Sequence, residues 1–141
     1  MRALGIIVML GAVMAASCSR GQTDEPPAAA VSDARTYVVR GEVISLPQAG
    51  KPGTQFLVKH EPIDDFRGAD GRIVGMNTMG MPFTPGKGVS LEAIEPGDKI
   101  ELTWVMQWRP EAREYVESVR KLPANTPLRF GKAHPPAASS R

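Results

Sequence analysis

The sequence predicts a small all-β domain, and three observations predict it. Short runs rich in Val, Ile, Thr and aromatic residues recur along the chain, separated by Gly- and Pro-containing turns. One of them, Lys99 to Trp108, alternates apolar and polar residues as a half-buried strand does. No long amphipathic helical pattern and no internal repeat is present. The chain has 141 residues, 42% hydrophobic and 23% charged, which fits one globular domain with tails.

The apolar run from Ala3 to Ala16 follows Met1-Arg2 and precedes Ser17-Cys18. A short basic start, an apolar core and small residues define a secretory signal peptide over 1–17. The run is shorter than the about 20 apolar residues that a membrane-spanning helix needs. Ala15-Ala16-Ser17-Cys18 resembles a bacterial lipobox with Ala in place of its usual Leu. That resemblance implies lipidation at Cys18, the single cysteine; ordinary cleavage near Ala16 is the alternative. An acylated Cys18 leaves no disulfide, no thiol nucleophile and no thiolate for a metal.

Residues 18–35, rich in Ala, Pro and polar types, read as a flexible tether, and 124–141 as a disordered Pro/Ala-rich tail in which His134 is a solvated residue. The domain occupies 36–123. Thr36 to Leu46 is the first strand, with Gly41 marking a bend or bulge. Gln48 to Gly53 is a turn. Thr54 to His60 is the second strand, with Phe56, Val58 and His60 on one face. Pro62 to Gly75 is a long polar connection. Met79 to Thr84 is a short third strand, and a helical turn or loop around Ser90 to Ile94 precedes the turn Glu95-Pro96-Gly97-Asp98. In the fourth strand Ile100, Leu102, Trp104, Met106 and Trp108 share a face, and Glu114 to Leu122 is the fifth strand. Five short strands in one small domain fit a closed or nearly closed barrel, OB-like in kind. The alternation makes core packing the plainer role for Trp104 and Trp108.

Seven methionines occur, three of them within Met76 to Met81. Met79 and Met81 are two apart, so an extended chain points both the same way. A thioether carries no proton at ordinary pH and suits Cu(I) and its soft relatives. Methionine is also a flexible core filler, and on these residues alone packing is the plainer reading. His60, the one histidine in 36–123, ends a strand beside this segment and is a good soft-metal donor in its neutral form. Glu61, Asp64, Asp65 and Asp70 lack the spacing of a calcium loop and read as solvated turn residues.

His60-Glu61-Pro62-Ile63, then Met79-Gly80-Met81-Pro82-Phe83, then Pro96-Gly97-Asp98-Lys99-Ile100 resemble the CusF-like periplasmic copper/silver-binding proteins, a domain also found beside copper-delivery proteins of the SCO type. The flanks Val38-Val39-Arg40-Gly41-Glu42-Val43 and Val119-Arg120-Lys121-Leu122-Pro123 fit too, so the resemblance spans about 37–123. It implies a five-stranded OB-like barrel holding Cu(I) or Ag(I) through His60, Met79 and Met81. The chain departs from that pattern at three places. Gly80 stands where Thr is frequent, Met76 where the best-known members carry a capping Trp, and the 62–75 loop is longer. A methionine at 76 would be a third sulfur donor.

No Ser/His/Asp set, no carboxylate pair on a strand scaffold and no phosphate-cradling loop is present, so no enzyme is expected. The formal charge of +2 argues against a nucleic-acid partner. The expectation is a monomeric metallochaperone or metal buffer in the periplasm, held by a lipid anchor at Cys18. Its partner would be a copper-delivery or copper-efflux protein. Ser19 after the cysteine points to the outer membrane rather than the inner. A structural lipoprotein that binds a protein partner, with the Met cluster as packing, is the alternative. A barrel-face binder of small ligands or oligosaccharides is a further one.

Overall fold

The computed structural model describes residues 33–136. The signal peptide, the Cys18 anchor and most of the tether lie outside them. The described chain is all-β: β1 (Arg35–Ser45), β2 (Phe56–His60), β3 (Gly80–Phe83), β4 (Lys99–Gln107) and β5 (Arg113–Lys121) form one antiparallel sheet in the order β3-β2-β1-β4-β5. Its ladder is open. The two edges meet at one isolated parallel bridge, Pro85 with Val116, where Gly86 N–H donates to the Val116 carbonyl at 2.9 Å and Val116 N–H to that of Thr84 at 2.8 Å. The result is a partly open barrel.

Alternation decides which side faces in. On β1, Tyr37, Val39 and Val43 are buried, and on β4, Ile100, Leu102 and Trp104. With Phe56, Val58, Phe83 and Val116 they form a single core. Its widest part is aromatic. Phe66 stacks on Trp104 with centroids 5.8 Å apart, and Tyr37 and Phe83 lie 5.7 and 5.6 Å from the same indole. The Trp104 Nε1–H donates to a Glu114 carboxylate oxygen at 2.9 Å, so the buried indole keeps no unmet donor.

Of the helical turn or loop expected around Ser90 to Ile94, the chain forms turns. Ile94 N–H reaches the Leu91 carbonyl at 3.0 Å, but Pro96 and Gly97 follow at once and the segment stays a pair of turns. Two expectations need correction. The polar connection 62–75 is a folded excursion. Ile63 bridges Met76, Arg67 bridges Ile73, and Ile63 and Phe66 are buried in the core. Finally, the chain from 124 to 136 does not behave as a disordered tail. It is held to the domain by hydrogen bonds from its backbone to Glu61, Asp64, Asn77 and Thr78. At the other end the folded part starts earlier than residue 36. The Asp33 carboxylate accepts from the backbone N–H groups of Trp108 and Arg109 at 2.9 and 2.8 Å.

Gly41 lies in both ladders of β1, opposite His60 on one side and Ile100 on the other. The register irregularity expected there falls instead between Val43 and Ser45. The glycine serves close approach: a Cβ at 41 would sit 2.5 Å from the Lys59 carbonyl oxygen and 2.9 Å from the His60 Cα.

Candidate metal centre

His60 is the last residue of β2. The β2 alternation turns Phe56, Val58 and His60 to the inside, and His60 is wholly buried. Its Nδ1 lies 2.6 Å from the carbonyl oxygen of Glu61. A carbonyl only accepts, so Nδ1 carries the proton and Nε2 is left with its lone pair. Among the described residues, the buried Nε2 has no hydrogen-bond partner. Leaving such an atom unmet costs about 1–3 kcal/mol. The imidazole and the Phe83 ring stand nearly perpendicular, centroids 6.3 Å apart.

The residue that orients this imidazole is itself held on several sides. The Glu61 carboxylate takes both Nε and an Nη of Arg40, at 2.8 and 3.2 Å, and Glu61 N–H donates to the Arg40 carbonyl at 2.7 Å. The tautomer of His60 is therefore fixed by a backbone carbonyl on an ion-paired residue. Metal-binding histidines are commonly held in this way.

Opposite His60 runs the methionine segment. β2 pairs with β3 so that Phe56 faces Phe83 and Val58 faces Met81. The same register continues: His60 N–H donates to the Met79 carbonyl at 3.2 Å, and Ile63 exchanges two 2.9 Å backbone hydrogen bonds with Met76. Directly opposed residues of an antiparallel pair share a face. Met79, His60, Gly41 and Ile100 thus form a row across four neighbouring segments. Met79 is 52% exposed, whereas Met81 and Met76 are half-buried and packed against the core. Met79 is thus the most exposed of the three. At Gly80 a Cβ would come within 3.0 Å of Ile44 Cδ1, so the missing side chain gives Ile44 its place on the outer face.

The register thus sets Met79, just before β3, opposite His60 and Met81 opposite Val58, with Met76 three residues before Met79. Cys18 lies outside the described residues. No group of three or more His, Cys, Asp or Glu able to hold a metal ion occurs among the described residues. The donor set in question is one nitrogen and thioethers, which is soft in character. Two of the acidic loop residues are held in ion pairs: Asp70 with Arg72 at 2.6 Å and Asp64 with Arg129 at 3.3 Å. Trp104 and Trp108 are structural, the latter donating from Nε1 to the Arg67 carbonyl at 3.0 Å. The residues that sequence reasoning missed are Phe66 and the 129–134 segment. Neither carries a periodic signal.

Burial holds the His60 pKa below its ordinary value, and the Glu61 carbonyl opposes that only in part. The sign follows. Below the ordinary histidine value of about 6.5 the unfolded chain takes up a proton that the folded chain refuses, so stability falls as pH drops from there toward the lowered folded value. The lowered carboxylates Asp33, Asp64, Asp70 and Asp98 act in a separate, more acid window, below about 4. Urea midpoints measured at pH 7.5, 6.0 and 5.0 are expected to fall in that order, and the slope is expected to vanish in a His60→Leu chain.

No protein-family model matches the chain, and no curated protein or solved structure matches it either.

Proposed function

We propose that this domain binds Cu(I), or its soft relative Ag(I), as cargo and hands it on, as an extracytoplasmic metallochaperone or metal buffer rather than an enzyme. The observation that carries the reading is the His60 Nε2: a buried lone pair, fixed in its tautomer and without a partner, opposite the methionine strand. A buried polar atom without a partner calls for an explanation, and a bound soft cation is one. His60 would supply nitrogen, Met79 and Met81 sulfur, and Met76 a further sulfur. The 52% exposure of Met79 suits an ion that leaves by ligand exchange. The recipient would be a copper-delivery or efflux protein in the periplasm. Cys18 would tether the monomeric carrier to a membrane, the outer one by its following Ser19.

A second reading has its own support. Met76 and Met81 pack against the core, as plain filler would. In that case the domain is a structural lipoprotein for a protein partner. Cu(I) titration under reducing conditions against a chromophoric chelator separates the two. Changing Met76, Met79 and Met81 together to Leu keeps volume and removes sulfur, at a cost below about 1.5 kcal/mol per site. The triple variant is expected to lose at least about a hundredfold in affinity, since even outer-shell changes cost 10–100-fold. Equal, weak competition by both chains would remove the metal reading and leave the packing one.

A further inference from the structure

The last described residues cross from the His60 end of β2 to the Met76–Met79 stretch. Arg129 N–H donates to the Glu61 carboxylate that Arg40 also holds, and the Arg129 guanidinium lies 3.3 Å from Asp64. Phe130 receives the Lys59 ammonium 4.5 Å from its ring centroid. Gly131 is doubly tied to Thr78: Thr78 N–H donates to the Gly131 carbonyl at 2.9 Å, and Gly131 N–H to the Thr78 hydroxyl at 3.0 Å. Ala133 N–H reaches the Asn77 side chain at 2.9 Å, and His134 N–H the Asp64 carboxylate at 2.7 Å.

These contacts select particular residues. Lys59 and Glu61 flank His60 in sequence. Asn77 and Thr78 are the two residues between Met76 and Met79. Gly75, which precedes Met76, is pressed as well: a Cβ there would stand 2.8 Å from Pro135 Cγ and 2.9 Å from Ala133 Cβ. One short segment therefore joins the His60 end of β2 to the stretch that carries the methionines. Its ties are single hydrogen bonds and exposed ion pairs, each individually weak and readily opened. The segment adds little apolar burial of its own, since Phe130 stays 38% exposed.

We infer that residues 129–134 form a strap that latches the Met76–Met79 stretch against the His60 end of β2 and sets how fast that end opens. Its meaning for cargo exchange rests on the metal reading above; the latch itself rests on the contacts. The strap bonds the residues that flank His60 and those between Met76 and Met79; with it released, only the Ile63–Met76 and His60–Met79 backbone bonds hold the stretch, so it opens more often and the Nε2 is reached from solvent more often. A recipient protein that displaces the strap would thereby draw the ion out.

Two altered chains test this beside the full chain. One ends at Leu128. The other keeps every residue but carries Asp64→Ala and Asn77→Ala, which remove three of the ties. A urea melt checks that each is folded. Metal-free protein is treated with diethyl pyrocarbonate, which modifies neutral imidazole, and His60 is followed by peptide mass. Modification is expected to be about tenfold faster in both altered chains, as for loss of a local closing contact. Ag(I) release to a competing chelator is expected to accelerate in parallel. Equal His60 modification rates in the full and altered chains overturn the strap. Faster modification with no Ag(I) bound by any chain upholds the strap and overturns the metal reading of the site.

Discussion

Replacing Gly41 with alanine is expected to destabilise the domain by about 3 kcal/mol or more, at the upper end of what overpacking costs. The new Cβ would lie 2.5 Å from the Lys59 carbonyl oxygen, 2.8 Å from Val58 Cγ1 and 2.9 Å from His60 Cα. Two of the three are backbone atoms of the neighbouring strand, so no rotamer change relieves the clash. β1 is the central strand, paired with β2 on one side and β4 on the other, and Gly41 sits in both ladders. A shift at 41 must therefore open one ladder or the other. In a domain of this size such a loss lowers the thermal midpoint by roughly 12–24 °C. Gly50→Ala is the control. Its Cβ meets nothing within 4 Å, so only the positive φ of 74° opposes it, at about 1 kcal/mol. Thermal melts of the two variants give the comparison, and near-equal midpoints would mean that β1 gives way at Gly41 more easily than this packing allows.

That glycine also marks how far the sequence could be read. A glycine inside a strand pattern announces close approach, and the approach is there; which atoms come close depends on strand pairing, which no single strand encodes. The same division holds elsewhere. Ile100, Leu102 and Trp104 were legible as an inward face because burial on one side imposes a period of two. Met79 and Met81 were legible as sharing a face for the same reason. That they lie opposite His60 and Val58 follows from the register of β2 and β3, which is fixed by the pairing of Phe56 with Phe83. The excursion from 62 to 76 hid its contribution because Ile63, Phe66 and Ile73 follow no period. Phe66 enters the core through one ring stacked on Trp104. The segment after Pro123 was hidden more deeply. It is held by backbone N–H groups reaching Asp64, Asn77 and Thr78 side chains, a pattern with no hydrophobic signature, so a Pro- and Ala-rich composition reads as disorder.

Changing His60 to leucine is expected to part function from stability. Leucine is close to histidine in volume and can occupy the buried place beside Phe83. The change removes an unmet buried lone pair, whose desolvation costs about 1–3 kcal/mol, and adds apolar burial. Against this, the Glu61 carbonyl loses the Nδ1–H donor 2.6 Å away, a hydrogen bond worth about 1 kcal/mol net. The metal-free variant is therefore expected to lie between unchanged and about 2 kcal/mol more stable than the parent. Cu(I) affinity is expected to fall at least about a hundredfold, since an inner ligand is lost where outer ones already cost 10–100-fold. Most buried side chains behave in the opposite way: removing them costs stability. A native chain that keeps a destabilising buried atom retains it for another reason, and stability given up at a functional site is a known trade. A histidine that merely fills the core predicts the same metal-free melts, because these terms do not depend on metal, but leaves chelator competition unchanged. Urea melts of metal-free protein test the accounting of the buried lone pair, and chelator competition on the same two chains decides between the two accounts.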